Sequence, residues 1–159
     1  MTDLTVQQWA ENDLLLEKQL CFALSVAARS VVGAYKPALE KLHLTHPQYL
    51  VMLALWERSP QSLREISSAL DLEPATLSPL LRRLEAAGLI TRGRVPGNER
   101  ALAVELTAAG SALRAEALSV PETMMQRLGL NREDVKQLHS AMMRLIDATK
   151  ASRGQDTAD

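Results

Sequence analysis

Residues 62–106 constrain the fold of this chain more than any other segment. They predict a short helix capped by Ser62, a tight turn at Asp71, a second helix that ends at Gly88, and a basic hairpin that turns at Gly97. Serine is a preferred first residue and glycine a preferred end of helices, and Pro-Gly marks hairpin turns. The segment therefore predicts a winged helix-turn-helix, a fold that places a helix in the major groove of DNA.

The second helix of this unit carries the residues expected to meet the bases. Leucines at helical spacing predict its buried side, and Pro74 suits its first turn. The opposite side has small hydroxyls at the leading end and arginines one turn later, which suit entry into the groove and contact with guanine edges or phosphates. The candidate DNA-binding residues of this helix are Thr76, Ser78, Arg82 and Arg83.

The hairpin adds three arginines that can probe phosphates or the minor groove, namely Arg92, Arg94 and Arg100. The alternative is a solvated hairpin whose charges only keep an edge strand soluble. Its place directly after a helix-turn-helix favours contact with DNA. Because the net charge of the chain is −1, any DNA-binding surface must be a local basic patch.

Helical patterns flank this unit at both ends of the chain. One is expected to end near Gly33, and Pro37 to begin a new, short helix. A later helix is expected to bend at Pro121. The predicted divisions are a flexible leader over 1–10, a single domain over 11–150 with dimerisation helices at about 11–35 and 111–150 and the winged helix-turn-helix at about 48–106, and a disordered tail over 151–159.

The apolar stripes of the two end helices need a partner in so small a chain. They can pack within the chain or form the interface of a homodimer. The dimer is favoured because two equal heads, one helical turn apart, match a palindromic operator in double-stranded DNA. The predicted fold class is mainly α with a small β-wing, with dimerisation helices from both chain ends.

The amino-acid composition further limits the kind of core and the kinds of site that the chain can form. Hydrophobic residues make up 47% of the chain but aromatic residues only 3%, so the core must come from Leu, Ala, Val and Met. A single cysteine excludes an internal disulfide framework and a cysteine-rich zinc site. Because His43 and His139 lack ligand-like spacing, no metal and no cofactor are expected. The start of the chain does not resemble a signal peptide, and no apolar run suits a membrane span, so we expect a cytoplasmic protein.

The order of elements resembles the MarR family of transcriptional regulators over residues 14–150. The segments LEKQLCFALSVAAR, YKPALEKL and THPQYLVMLALWE resemble its organic-hydroperoxide-sensing, OhrR-type branch, of the one-cysteine kind. The resemblance implies that Cys21 is the sensor thiol and that Tyr35 hydrogen-bonds its sulfur. His46 stands where the branch usually has a second tyrosine. An imidazole can also hold a thiolate, and its cation would lower the thiol pKa more than a phenol could.

The resemblance implies a repressor that works as a redox switch. Cys21 would be oxidised by an organic hydroperoxide to a sulfenic acid, which a small cellular thiol would cap or a backbone amide would trap. The adduct would break the contacts to Tyr35 and His46, splay the two DNA-binding heads and release the operator.

Other interpretations of the same residues stay open. Cys21 could be an inert core thiol, and release could be triggered by a small aromatic or drug-like ligand in a MarR-type regulator. The chain could also be a structural dimer with a vestigial wing. From another class, a thiol peroxidase would turn over hydroperoxide, but a single cysteine without a CxxC pair argues against an enzyme.

Overall fold

The computed structural model describes residues 13–95 and 97–156, and within them the chain forms helices around one small sheet. A single 3-10 turn at Leu16–Lys18 comes first. The elements that follow are α1 Leu20–Glu40, α2 His46–Glu57, β1 Gln61–Ser62, α3 Leu63–Leu70, α4 Pro74–Ala86, β2 Ile90–Val95, β3 Asn98–Leu106, α5 Ala108–Ala117, α6 Val120–Leu128 and α7 Arg132–Asp156. None of the described helices is both long and apolar enough to cross a membrane.

The chain divides into two compact units, one ending at Ala117 and the other beginning at Leu118. The boundary between these units lies within the region that the sequence predicted to be a single domain, residues 11–150. In the first, β3 lies between β1 and β2 in an antiparallel sheet of order β1-β3-β2, with Gln61 opposite Val104 and Ile90 opposite Leu106. The fold class predicted from the sequence, mainly α with a small β-wing, is confirmed.

The core of the first unit is aliphatic. The largest fully buried side chains are Leu39, Val51, Met52, Leu55, Ile66, Leu77, Leu81, Leu84, Ile90 and Val104. They come from the end of α1, from the three helices α2, α3 and α4, and from the sheet. Each fully buried side chain of this size contributes roughly 1.5–3 kcal/mol relative to exposure. The core therefore holds the helix-turn-helix and the wing together.

Three helices begin with a reciprocal capping box, and one of these starts, at Ser62, confirms the sequence prediction. The hydroxyl of Ser62 accepts from the Glu65 amide at 3.1 Å, and the Glu65 carboxylate accepts from the Ser62 amide at 2.7 Å. Thr45 begins α2 and Asn131 begins α7 in the same way. A capping side chain of this kind typically contributes about 1 kcal/mol to stability.

The predicted helix end near Gly33 is wrong, because α1 continues through both Gly33 and Pro37 to Glu40. A proline removes one N–H bond and crowds the carbonyl four residues earlier, which here belongs to Gly33. Pro37 stands near the end of the helix, so only its last turn is affected. Leu39 in that turn is buried in the core, and this burial keeps the turn helical.

The second unit also differs from the sequence prediction. Pro121 does not bend one helix: it is the second residue of a new helix, α6, after a break at residues 118–119. Helix α7 continues to Asp156, so residues 151–156 of the expected disordered tail are helical. The alanine, arginine and glutamine in this stretch are compatible with helix. The leader over 1–10 and residues 157–159 lie outside the described residues.

A tight backbone junction joins the sheet to α5. The hydroxyl of Thr107 donates to the Gly88 carbonyl at 2.6 Å and accepts from the Gly110 amide at 3.0 Å. A Cβ added at Gly110 would lie 2.0 Å from the Leu89 carbonyl oxygen. The Gly110 carbonyl in turn accepts from Nε1 of Trp56 at 2.9 Å. Only glycine fits at position 110, since backbone fills the space of a side chain.

We expect the Gly110→Ala variant to lose about 1–3 kcal/mol of unfolding free energy, the usual effect of forcing atoms into a packed site. The added Cβ must push either Leu89 or the first turn of α5 away. Urea denaturation followed by circular dichroism measures the change.

The matched control is Gly33→Ala, where an added Cβ meets nothing within 4 Å. Alanine is the better helix former, so this variant should be more stable than the original chain by about 0.5–1 kcal/mol. Equal stability of the Gly110→Ala variant and the original chain would contradict the close contact with Leu89.

Candidate functional site

Helix α4 separates a buried side from an exposed side, as the sequence predicts. Leu77, Leu81 and Leu84 are fully buried. On the other side Thr76, Arg82 and Arg83 are exposed. This arrangement leaves small residues at the leading end of the helix and cations one turn later.

Two residues in the first half of α4 shape its backbone. Pro79 lies inside the helix and has no N–H to donate to the carbonyl of Ala75. Ser78 is partly buried, and its hydroxyl donates to the Pro74 carbonyl at 2.9 Å. The hydroxyl hydrogen of Ser78 is thus used within the helix, so toward an external partner the hydroxyl is left as an acceptor.

The wing arginines differ from one another. Arg94 is exposed, whereas Arg92 is held against α4 by Glu85. The Glu85 Oε2 atom accepts from Nη2 of Arg92 at 2.7 Å and from its Nε at 3.0 Å. The side chain of Arg100 lies outside the described part of the chain. Of the two described wing arginines, Arg94 alone points a free guanidinium to solvent.

The exposed arginines of α4 and of the wing supply local positive charge, which a chain of net charge −1 needs in order to bind DNA. Within residues 13–95 and 97–156, no salt bridge is formed by Arg82, Arg83 or Arg94. Unpaired guanidinium groups keep their five donors for phosphate oxygens or guanine edges. The exposed side of α4 and the wing therefore offer a surface suited to a nucleic acid, whose phosphates and base edges accept hydrogen bonds.

The candidate sensor thiol lies in the first turn of α1. Cys21 is exposed in the single chain, so the core of that chain does not bury it. Tyr35 stands fourteen residues later on the same uninterrupted helix, so the two lie about 21 Å apart along the axis at a rise of 1.5 Å per residue. The helix keeps Tyr35 out of hydrogen-bonding reach of Cys21 in the same chain.

Tyr35 and His46, by contrast, lie next to each other. Their ring centroids are 5.2 Å apart in an edge-to-face arrangement. The sequence interpretation missed the continuation of this contact: Tyr49 lies 6.1 Å from the Tyr35 ring and 6.4 Å from the Trp56 ring. The spacing of His46, Tyr49 and Trp56 at i, i+3 and i+10 is the signal that places them along one side of α2.

Comparison with known proteins shows the family to which this chain belongs. Residues 44–102 match the MarR family. The chain is 41% identical over 136 residues to the organic hydroperoxide resistance transcriptional regulator of Bacillus subtilis (strain 168), across 86% of this chain and 92% of that protein. This chain belongs to the MarR family of transcriptional regulators. The predicted family and the predicted resemblance to its OhrR-type branch are confirmed.

Solved structures agree with this assignment. Reduced AbfR of Staphylococcus epidermidis bound to DNA is 32% identical with a TM-score of 0.69, over 84% of this chain and 94% of that one. Bordetella bronchiseptica BpsR, whose DNA binding is regulated by 6-hydroxynicotinic acid, is 25% identical with a TM-score of 0.77, over 86% and 99% of the two chains. This MarR-family protein is a DNA-binding regulator.

Burial sets the charge of the imidazole in this MarR-family protein. Desolvation lowers the pKa of His46 below 6.5, and burial, followed by the nearby Tyr35, raises the pKa of Tyr49. His46 is also the first residue of α2, where the positive end of the helix dipole disfavours a cation. Near neutral pH His46 is therefore neutral rather than the cation considered above, and it can donate one N–H bond.

We expect the imidazole resonances of His46 to titrate below pH 6.5, as measured by NMR. Because the pKa of His46 is lower in the folded state than in the unfolded state, the folded state binds fewer protons than the unfolded state at acidic pH. The stability linked to His46 is therefore complete above pH 6.5 and is lost as the pH falls through the folded pKa. The His46→Gln variant should lose less stability over that window, and a His46 pKa above 6.5 would contradict the burial argument.

Proposed function

We propose that this MarR-family protein is a repressor that senses organic hydroperoxides by oxidation of Cys21 and then releases a palindromic operator. The observation that carries the proposal is the exposed Cys21 at the start of α1, in a chain 41% identical to an organic hydroperoxide resistance regulator. It is the one cysteine of the sequence. The similar AbfR has been crystallised in reduced, disulfide-formed and overoxidized states, which supports redox control in a relative of this fold.

The proposed DNA-binding surface is the exposed side of α4 together with the wing. Thr76 and Ser78 let the leading end of the helix approach the base edges, and Arg82 and Arg83 contact guanines or phosphates. Arg94 contacts a phosphate or the minor groove from the wing. Arg100 keeps the role expected from the sequence, that of a further wing contact.

The proposed sensor is shared between two copies of the chain. Since Tyr35 is about 21 Å from its own Cys21 along α1, the tyrosine and His46 that hold this sulfur must come from the partner copy. A homodimer is supported by apolar side chains that a single chain leaves exposed, and their burial is the main driving force of such interfaces. They are Leu20, Phe22, Val26, Val31 and Val32 on α1, and Val135, Leu138, Met142, Met143 and Ile146 on α7.

The proposed chemistry is a two-electron oxidation of sulfur. The Cys21 thiolate attacks one peroxide oxygen, the O–O bond breaks, and the other oxygen leaves as an alcohol after taking a proton. The sulfur is left as a sulfenic acid. A small cellular thiol then forms a disulfide with it, and water leaves. The adduct displaces the phenol of Tyr35 and the neutral imidazole of His46, and the two heads move apart.

Replacing Cys21 by Ser should leave operator affinity unchanged, because residue 21 is not part of the proposed DNA-binding surface and serine is close in size to reduced cysteine. It should abolish release by cumene hydroperoxide with free cysteine. Fluorescence anisotropy of labelled promoter DNA measures both, and dithiothreitol should restore binding of the oxidised original protein.

Release of the Cys21→Ser variant by peroxide would refute the sensor assignment. Indifference of the original protein to peroxide would also refute it, and would favour the ligand-released alternative, with 6-hydroxynicotinic acid, the regulator of BpsR, as the first compound to test. Consumption of one peroxide per Cys21 without further thiol turnover is expected of a sensor; many turnovers would favour a thiol peroxidase.

Each of Arg82→Ala, Arg83→Ala and Arg94→Ala should weaken operator binding. A lost phosphate contact flattens the slope of log Kd against log salt by roughly 0.9, and a lost guanine contact costs about 1–3 kcal/mol for that base pair alone. Anisotropy titrations at several salt concentrations separate the two cases. The matched control is Arg114→Ala, which removes the same charge from the exposed surface of α5; equal losses in all four variants would contradict the proposed surface.

A further inference from the structure

Glu85 and Arg92 form a contact that the sequence interpretation did not foresee. Glu85 lies in the last turn of α4 and Arg92 near the start of β2. One carboxylate oxygen, Oε2, accepts from Nη2 and Nε of Arg92 at 2.7 and 3.0 Å. The other, Oε1, accepts from the backbone amide of Arg92 at 3.2 Å. Three hydrogen bonds from one residue thus converge on one carboxylate.

The backbone bond makes this contact more than a surface ion pair. In the sheet order β1-β3-β2, β2 is an edge strand, so one side of its backbone has no strand neighbour. On that open side, Glu85 accepts a hydrogen bond from the backbone amide of Arg92. The carboxylate therefore holds the strand itself as well as the guanidinium, and it ties the base of the wing to the end of α4.

The side chains of Glu85 and Arg92 are also less exposed to solvent than those of the ion pair between Arg58 and Glu65. The Arg92 side chain is 26% exposed and that of Glu85 is 38% exposed, whereas the pair of Arg58 and Glu65 is 62% and 45% exposed. Hydrogen bonds from the Arg92 side chain lower the pKa of Glu85. The carboxylate stays charged, and the contact persists across the neutral range.

We infer that Glu85 and Arg92 are a positioning pair for DNA binding, which sets the angle between the wing and α4. Arg94 follows Arg92 by two residues, so it lies on the same face of β2, about 7 Å farther out along the strand. Holding Arg92 in place fixes where Arg94 emerges relative to Arg82 and Arg83. The inference rests on the DNA-binding surface proposed above, and it gives Arg92 a different role from the phosphate probe expected from the sequence.

The Glu85→Gln variant distinguishes a direct phosphate contact by Arg92 from a positioning role, because the two roles predict opposite changes in DNA affinity. If Arg92 contacts a phosphate directly, Glu85→Gln frees the guanidinium and removes a negative charge beside DNA, so binding becomes tighter. If the pair positions the wing, the same variant loosens the wing and weakens binding although the protein has become less negative. Simple electrostatics and positioning thus predict opposite changes in Kd.

The experiment is an anisotropy titration of the full-length protein on its promoter DNA at several salt concentrations. Glu85→Gln should bind about tenfold more weakly, the size of one lost charge-assisted contact, with a salt slope flatter by roughly 0.9. The matched control is Glu65→Gln, which removes the same charge and keeps the capping box, since glutamine serves there as well. It should bind as the original protein does, or slightly more tightly.

Two further variants test the positioning role itself. If Glu85 acts through the placement of Arg94, then Glu85→Gln combined with Arg94→Ala should bind no more weakly than Arg94→Ala alone. The double variant Glu85→Arg/Arg92→Glu exchanges the two residues. It should recover at least part of the salt dependence of DNA binding that Glu85→Gln loses. Should Glu85→Gln fail to fold by circular dichroism, Arg92→Lys replaces it, because it keeps the charge but loses the Nε bond and the fork geometry.

Tighter or unchanged binding by Glu85→Gln would overturn the inference, as would losses that simply add to those of Arg94→Ala. Original-strength binding by Arg92→Lys would do the same when that variant is used. A different outcome marks failure of the proposed surface: if Arg82→Ala and Arg94→Ala both bind DNA as the original protein does, the surface lies elsewhere whatever Glu85→Gln does.

Discussion

The contact between Gly110 and the Leu89 carbonyl is the constraint on which the first unit depends. At this point the strand leaving α4 and the helix following β3 approach until backbone touches backbone, and a Cβ would stand 2.0 Å from an oxygen. The Thr107 hydroxyl and Nε1 of Trp56 complete the junction. Helix α4, the sheet, α5 and α2 thereby share one fixed point. A helix anchored at such a point, as α4 is, keeps its direction relative to the wing.

The length of α1 imposes a second constraint, on the chemistry. Because the helix runs unbroken from Leu20 to Glu40, it holds Cys21 and Tyr35 at a separation that no side-chain rotation can close. The proposed sensor can therefore be completed only by a second copy of the chain. In the proposed arrangement, oxidation would act at the subunit interface and so change how the two DNA-binding heads are placed relative to each other.

Charge in this protein is arranged locally. A net charge of −1 gives little long-range attraction to DNA, so the proposed binding surface relies on a few unpaired arginines on α4 and the wing. Two carboxylates of the same unit make contacts within the fold: Glu65 caps α3, and Glu85 binds Arg92 at the base of the wing. Paired carboxylates of this kind limit repulsion of phosphates while adding rigidity, which suits a surface that must match the shape of a duplex.

Much of this protein was determined by local sequence. The caps at Thr45, Ser62 and Asn131, the left-handed turn at Asp71 and the alternation of β3 follow from side chains that act on their own backbone within a few residues, so the winged helix-turn-helix could be predicted. The family resemblance added the roles of Cys21, Tyr35 and His46, which stay predictions.

Other features depend on the folded chain as a whole, because the interactions concerned join residues that are distant in sequence or arise from burial. The pairing of Arg92 with Glu85 requires the strand to fold back beside the helix. Continuity of α1 through Gly33 and Pro37 requires Leu39 to be buried in a core built by other helices. The neutral state of His46 requires the desolvation that its neighbours impose. Propensity and periodicity carry no information about such neighbours, because they describe one segment at a time.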